Sequence, residues 1–213
     1  LWFNEITTNE EVHFMLQTIT PFAVAIIIGY LLGCFNLAFI ISKVKKVDLR
    51  NTGSKNLGAS NTFITFGKEL GVLVGACDIF KCTLVVILAK LLFPEIDYLP
   101  YMAGIACVMG HMFPFYLKFK GGKVFASFVG LILGIHWKYF IVIGICIILI
   151  TLVTKYIVLA TMTTVISYPV FLFFDTQNWI IVTMVAILSC IIIMKHYKNL
   201  IRIAKGEEFK FKI

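Results

Sequence analysis

The chain of 213 residues is 60% hydrophobic and only 14% charged, with a mean hydropathy of +0.96. These values exclude an ordinary soluble domain, whose apolar and charged fractions are about 45–50% and 25%. The formal net charge of +8 comes from basic residues clustered between long uncharged runs, and this pattern predicts an all-α polytopic membrane protein.

Seven apolar runs are predicted to be membrane-spanning helices, because a bilayer core of about 30 Å needs roughly 20 apolar residues per helix. The predicted spans are 20–42, 70–93, 97–117, 124–135, 137–154, 157–174 and 178–194. The fourth is short, so a re-entrant or tilted segment is an alternative. We interpret residues 1–213 as a single membrane domain.

Basic residues alternate between the two sides of the predicted spans. They follow the first, third, fifth and seventh spans, at Lys43, Lys45, Lys46, Arg50, Lys55, Lys68, Lys118, Lys120, Lys123, Lys155 and in the tail. The other connections hold Glu95, Asp97 and Asp175, with only Lys90 and Lys138 nearby. The positive-inside rule then predicts residues 1–19 outside and a cytoplasmic tail from 195 to 213.

This basic face predicts attraction to anionic lipid headgroups. It has no aromatic and basic platform for nucleic acid, so no nucleic-acid partner is expected. The six cysteines lie in apolar segments without Cys-x-x-Cys spacing. They are predicted to be small buried hydrophobic residues, and no metal site is expected.

A loop rich in glycine and small hydrogen-bonding side chains follows the first span, over residues 48–61. One interpretation is a polar loop that caps the second span, with Ser60 or Asn61 as the N-cap. The alternative is a binding loop, in which Ser54 and Asn56 donate directional hydrogen bonds.

The second span carries Asp78 and Lys81 one helical turn apart. Charges inside a membrane are costly, and they are usually paired or functional. A structural ion pair is the first interpretation, and a supporting role next to a functional site is the alternative.

The third span ends in a basic, glycine-rich turn. Gly121 and Gly122 are predicted to adopt φ > 0 and to point successive N–H groups at one spot, where Lys120 and Lys123 add positive charge. This arrangement favours a phosphate group at the membrane surface. His111, near the end of the span, is predicted to be a structural hydrogen-bonding residue.

The segment after the seventh span repeats polar residues every three positions, at His196, Asn199 and Arg202. They are predicted to share one face of a short interfacial helix, and a solvated basic tail is the alternative. Glu208 is predicted to pair with a nearby cation.

Together these clusters resemble motifs of the bacterial acylphosphate:glycerol-3-phosphate 1-acyltransferases, and the resemblance runs from about Gly29 to Glu208. The matching residues are Gly53-Ser54-x-Asn56-x-Gly58-Ala59-Ser60-Asn61, Asp78-x-x-Lys81, Gly110-His111-x-Phe113-Pro114, Lys120-Gly121-Gly122-Lys123 and His196-x-x-Asn199-x-x-Arg202-x-x-x-Gly206-x-Glu208.

The resemblance implies a seven-helix enzyme of the bacterial plasma membrane, with its motifs in one cytoplasmic active site and without a cofactor. It would transfer a fatty acyl group from acyl phosphate to the 1-hydroxyl of glycerol 3-phosphate, giving lysophosphatidic acid and phosphate. Its partners would be these substrates, membrane lipids and candidate neighbouring enzymes of phospholipid synthesis.

The resemblance also implies roles for individual residues. The expected catalytic residues are Ser54, Lys123, His196 and Asn199. The expected substrate- or phosphate-binding residues are Asn56, Gly58, Asn61, Lys120, Gly121, Gly122 and Arg202. The expected structural residues are His111, Asp78, Lys81 and Glu208.

Four positions depart from the family pattern. Lys55 and Val124 stand where glycine is usual, Ile64 stands where arginine is usual, and Val158 stands where serine is usual. Losing the arginine removes a charge and up to five donors, for which Lys55 is a candidate replacement. A non-catalytic member that binds lipid or acyl phosphate is therefore the alternative function.

Overall fold

The structure, a computed structural model, describes the backbone of residues 9–211 and the side chains of residues 19–211. Within this range the chain forms nine α-helices and one short 3₁₀ helix, Phe115–Leu117. The α-helices are α1 (Asn9–Cys34), α2 (Leu37–Val44), α3 (Ala59–Phe66), α4 (Lys68–Leu92), α5 (Leu99–Met112), α6 (Phe125–Ile135), α7 (Trp137–Thr154), α8 (Ile157–Thr176) and α9 (Trp179–Ala204).

Five apolar helical stretches of the described chain are long enough to cross a membrane: Ile19–Val44, which joins α1 and α2, and α4, α7, α8 and α9. Helices α5 and α6 have only 14 and 11 residues, fewer than the roughly 20 that a bilayer core needs. Each of the seven predicted segments contains a helix. Of the predicted external segment 1–19, residues 1–8 lie outside the described range, and α1 begins at Asn9.

The first predicted span is divided by a break before α2. Asn36 is the N-cap of α2, where its Oδ1 accepts a hydrogen bond of 2.8 Å from the Phe39 N–H. Its Nδ2 also donates to the carbonyl oxygen of Leu57 at 3.4 Å. Asn36 therefore ties α2 to the polar loop that precedes α3.

Two sequence interpretations are wrong. Residues 59–66 form the separate helix α3, whose N-cap is Gly58, so neither Ser60 nor Asn61 caps the second span. His196, Asn199 and Arg202 do not lie on a separate interfacial helix. They lie on the last turns of α9, which continues without a break to Ala204 because no proline or glycine interrupts it.

Small residues let the helices approach closely, as is usual between membrane helices. A Cβ on Gly33 would overlap the backbone of Cys107, and one on Gly110 would overlap the carbonyl oxygen of Tyr30, so α1 and α5 pack backbone to backbone. Gly130 of α6 lies equally close to the Ile79 carbonyl of α4. These contacts pack α1 against α5 and α6 against α4, and α4, α5 and α6 each contribute residues to one cavity.

Candidate active site

A cavity of about 420 Å³ lies where the first turns of α3 and α6 meet the last turns of α9. Of the residues expected to act in catalysis or substrate binding, six line it: Ser54, Asn56, Gly58, Lys123, His196 and Asn199. Three residues expected to be structural also line it: Asp78, His111 and Glu208. The loop over residues 48–61, the turn before α6 and the segment from His196 to Glu208 therefore meet at one place.

Two helix N-termini open into this cavity. Ala59 and Ser60 of α3 and Phe125 and Ala126 of α6 are lining residues. Neither helix has a side-chain hydrogen bond from its N-cap residue. The first N–H groups of a helix lack intrahelical partners and carry a partial positive charge. This end of the cavity is therefore suited to an anion such as phosphate.

A chain of polar contacts, which we call the Lys123 chain, runs along one side of the cavity. The Lys123 ammonium donates to Asn199 Oδ1, and Asn199 Nδ2 donates to Glu208 Oε1 at 2.6 Å. Glu208 Oε2 accepts from Arg202 Nε, also at 2.6 Å. Burial, with a smaller contribution from the Arg202 charge, lowers the pKa of Lys123 to about 8.

The glycine-rich turn does not have its predicted conformation. Neither Gly121 nor Gly122 has a positive φ. Their N–H groups donate to the carbonyl oxygens of Met112 and His111, each at 3.1 Å, and so are not free for a phosphate. Glycine is required because a Cβ on Gly121 would overlap the His111 carbonyl, and one on Gly122 would overlap the His111 imidazole.

The positive φ angles of this turn occur at other residues, namely Lys118, Phe119 and Val124. Lys120 is exposed and does not line the cavity. None of Lys120, Gly121 and Gly122 lines the cavity. The structure therefore shows no contact that supports the phosphate-binding roles expected for them.

Asn61 is fully occupied in holding the loop before α3. Its Oδ1 accepts from the Ser54 N–H at 2.7 Å, and its Nδ2 donates to the carbonyl oxygens of Leu49, Thr52 and Asn56 at 2.7–3.0 Å. Asn61 is completely buried and does not line the cavity. Its side chain stabilises the loop that contains Ser54. The structure therefore gives Asn61 a structural contact and not the direct binding role expected for it.

Asp78, Lys81 and His111 form a second group, which we call the buried charge cluster. Lys81 Nζ lies 2.8 Å from Asp78 Oδ1 and 2.7 Å from His111 Nδ1, and it donates to the Phe35 carbonyl oxygen at 2.7 Å. The exposed fractions of Asp78, Lys81 and His111 are 2%, 6% and 2%. The cluster joins α4, α5 and the break after α1.

The four departures from the family pattern fall into two kinds. Ile64 and Val158 line the cavity, so both substitutions remove polar groups from its wall. Lys55 and Val124 have φ values of +55° and +65°, in the left-handed region that favours glycine. Lys55 is exposed and is not a lining residue, so it does not supply a cation in place of the missing arginine.

Aromatic residues of the tail close one wall of the cavity, and the sequence interpretation missed them. Phe209 and Phe211 are lining residues. The Phe211 N–H donates to the Lys155 carbonyl at 2.9 Å, and its ring lies 5.2 Å from that of Phe63. The alternating Phe-Lys-Phe-Lys of the tail could have indicated this packing, because a fully solvated basic tail has no need of two phenylalanine side chains.

The rest of the wall is mostly apolar. Its lining residues include Val72, Ile79, Val129, Ile147 and Val158, with Thr161 as a polar neighbour of Val158 on α8. They belong to α4, α6, α7 and α8, and they continue from the polar end into the helix bundle. The described residues contain no group of three histidine, cysteine, aspartate or glutamate side chains arranged to hold a metal ion. The cavity therefore combines an anion-binding end with a wall that suits an aliphatic chain.

Comparison with known proteins places these features in context. Residues 23–206 match the sequence model of the family described as glycerol-3-phosphate acyltransferase. The glycerol-3-phosphate acyltransferase of Bartonella henselae is 35% identical over 187 residues, covering 86% of this chain and 89% of its own. That of Bacillus subtilis is 36% identical over 191 residues, covering 89% and 97%.

Two solved structures are similar to this fold. They are crystal structures of PlsY, an integral membrane glycerol 3-phosphate acyltransferase. Its glycerol 3-phosphate form has a TM-score of 0.84 at 33% identity, covering 89% of this chain and 95% of that one. Its lysophosphatidic acid form has a TM-score of 0.80 at 32% identity, with the same coverage.

Proposed function

The chain belongs to the glycerol-3-phosphate acyltransferase family, and we propose that it transfers a fatty acyl group from acyl phosphate to the 1-hydroxyl of glycerol 3-phosphate. The products are lysophosphatidic acid and inorganic phosphate, the first a precursor for phospholipid synthesis. The observation that carries the proposal is the cavity itself. Two helix N-termini without side-chain caps and Lys123 lie at its polar end, and the rest of the cavity has a mostly apolar wall.

Phosphate groups bind at the polar end in this proposal. Lys123 and the first N–H groups of α3 and α6 compensate the negative charge. Ser54 and Asn56 add directional hydrogen bonds from the loop that Asn61 holds in place. The fatty chain of acyl phosphate then follows the apolar wall, which places the reacting carbonyl between the two ends of the cavity.

His196 and Asn199 receive the glycerol hydroxyl in this arrangement. His196 Nδ1 lies 2.9 Å from the Ile192 carbonyl oxygen, so Nδ1 carries a proton and donates it there. The neutral ring then has Nε2 as an acceptor for the attacking hydroxyl. Acyl phosphate is a mixed anhydride and already activated, so positioning and electrostatics supply the catalysis without a covalent enzyme intermediate.

The proposal places this cavity on the cytoplasmic side of a bacterial plasma membrane, with about seven crossings and the N-terminus outside. The distribution of lysine and arginine supports this orientation. Single cysteines placed at Glu95 and Lys210 test it with a membrane-impermeant thiol reagent. Labelling of the two positions from opposite sides is expected, and labelling of both from one side would contradict it.

The decisive experiment measures phosphate release from palmitoyl phosphate by the purified protein, with and without glycerol 3-phosphate. Release that depends on glycerol 3-phosphate and matches the lysophosphatidic acid formed is expected. Binding of palmitoyl phosphate without turnover would instead identify a non-catalytic member, as the substitutions at Ile64 and Val158 would then suggest.

A further inference from the structure

His111 has one ring nitrogen that the protein uses and one that it does not. The side chain is 2% exposed and lines the cavity. Nδ1 lies 2.7 Å from Lys81 Nζ. Among the described side chains and backbone groups, none forms a hydrogen bond with Nε2. Because His111 lines the cavity, this nitrogen is available to a group that enters it.

Lys81 determines which nitrogen carries the proton. Its ammonium has only N–H donors. It donates to the Phe35 carbonyl, lies 2.7 Å from His111 Nδ1 and forms an ion pair with Asp78 Oδ1. A proton on Nδ1 would face the ammonium at 2.7 Å, although it would also lie near Asp78 Oδ1 at 3.1 Å. Because an ammonium cannot accept a hydrogen bond, the contact with Lys81 requires Nδ1 to be the acceptor, and this leaves His111 neutral, with its proton on Nε2.

The free nitrogen stands beside the glycine-rich turn. A Cβ on Gly122 would overlap His111 Nε2, so the imidazole edge lies directly against this glycine, one residue before Lys123. On the other side, Asp78 and Ile79 are the last residues along α4 that line the cavity, and Ile79 belongs to its apolar wall. His111 Nε2 is therefore located between the turn that carries Lys123 and the apolar wall.

We propose that His111 is a catalytic residue, whose Nε2–H donates a hydrogen bond to the carbonyl oxygen of acyl phosphate. This inference rests on the proposed function, because it assigns the donor that stabilises the charge developing in acyl transfer. Asp78 and Lys81 are positioning residues, since they fix the ring and its tautomer from the side away from the substrate.

The 1-hydroxyl oxygen of glycerol 3-phosphate forms a bond to the acyl carbon, and the carbonyl oxygen takes negative charge against His111 Nε2–H. The bond between the acyl carbon and the phosphate oxygen then breaks, and the carbonyl is restored. The hydroxyl proton passes from its hydrogen bond with His196 Nε2 to the phosphate, and it leaves with the released inorganic phosphate. His111 gives up no proton, so its role differs from that of a general acid.

Two matched substitutions separate this role from a structural one. His111→Asn keeps an acceptor near the Nδ1 position for Lys81 but removes the donor at Nε2. His111→Gln keeps a donor near the Nε2 position but weakens the contact with Lys81. We expect His111→Asn to lower kcat with palmitoyl phosphate about 100-fold, the lower range for losing one such donor. Its KM for glycerol 3-phosphate and its melting temperature should stay near those of the parent.

His111→Gln should show the opposite pattern, with a lower melting temperature and a kcat at least tenfold above that of His111→Asn. A purely structural histidine predicts the reverse order, with His111→Gln the less active of the two, and that order would overturn the inference. Equal activity of His111→Asn and an active parent would also overturn it, while leaving the acyltransferase proposal intact. A parent that releases no phosphate overturns both.

Discussion

The buried charge cluster and the Lys123 chain both place charges near the same cavity, but they are built differently. Asp78, Lys81 and His111 stand on the regular helices α4 and α5, and the ammonium lies within 2.8 Å of three polar atoms. Lys123 stands on an irregular turn, and its one hydrogen bond to a described residue is with Asn199. We therefore expect the closed cluster to hold the protein together and the open chain to keep a cation available for substrate.

Lys81→Met gives the largest effect expected from this comparison. It leaves the Asp78 carboxylate buried without its cation, and breaking a buried pair typically costs about 3–5 kcal/mol. The free energy of unfolding in detergent micelles should fall by that amount. The exposed Lys68, near the start of the same helix, provides the control Lys68→Met, which should change little.

The paired replacement Asp78→Asn with Lys81→Met should recover part of this loss, because no uncompensated charge remains. A double variant less stable than Lys81→Met alone would mean that the two residues are not coupled as a pair.

Lys123→Ala should act on turnover much more than on folding. The lysine contributes a cation at the polar end, and its contact with another helix is the single hydrogen bond to Asn199. We therefore expect at least a 100-fold loss of acyl transfer with only a small decrease in melting temperature. Lys120→Ala, on the same turn but exposed and away from the cavity, is the matched control and should retain activity. Normal turnover of Lys123→Ala would show that the Lys123 chain has no part in catalysis.

Each of the seven apolar segments predicted from the sequence contains a helix, and residues of the loop over 48–61, the turn before α6 and the end of α9 line one cavity. Apolar runs and charge clusters are local features of the chain, so the sequence shows them directly. The sequence does not show that Gly121 and Gly122 pack against the end of α5 and donate their N–H groups to it. Such a tertiary contact leaves no periodic pattern in the sequence. The sequence likewise predicts that Asn61 binds substrate, because no local pattern shows that four backbone groups form hydrogen bonds with its side-chain amide.

Ile64→Arg tests whether the polar end of the cavity lacks a cation. Ile64 lines the cavity, and a hydrogen bond to a charged group contributes about 1.5–3 kcal/mol. The KM for glycerol 3-phosphate or acyl phosphate should fall roughly tenfold to a hundredfold, while Ile64→Met should leave both KM values unchanged. A higher KM in Ile64→Arg would show that Lys123 already fills the site and that the two cations repel each other.

The pH dependence should separate activity from stability at Lys123. Because its pKa is lowered to about 8, the ammonium is lost above that pH, and kcat/KM should fall about tenfold per pH unit. The free energy of unfolding should instead rise with pH between pH 8 and the ordinary lysine pKa of about 10.4. In this range the unfolded chain binds a proton that the native protein lacks, so a higher pH destabilises the unfolded chain relative to the native protein. Lys123→Arg stays charged and should remove this activity loss. An unchanged loss in that variant would assign it to another group.

The smallest expected effect comes from Val124, which adjoins Lys123 and begins α6. Its φ of +65° places a β-branched side chain in the left-handed region, at a cost of roughly 1–2 kcal/mol. Val124→Gly removes this strain, but it also removes a side chain that is only 3% exposed and whose burial contributes about 1.5–3 kcal/mol. It also makes the unfolded chain more flexible, so we expect a net loss in unfolding free energy of about 1 kcal/mol. Helix α6 would still begin at the same place, so Lys123 and the α6 N–H groups should keep their positions, and turnover should change little well below the melting temperature. A loss of activity in Val124→Gly under those conditions would instead show that the valine side chain, and not only the backbone beneath it, shapes the polar end of the cavity.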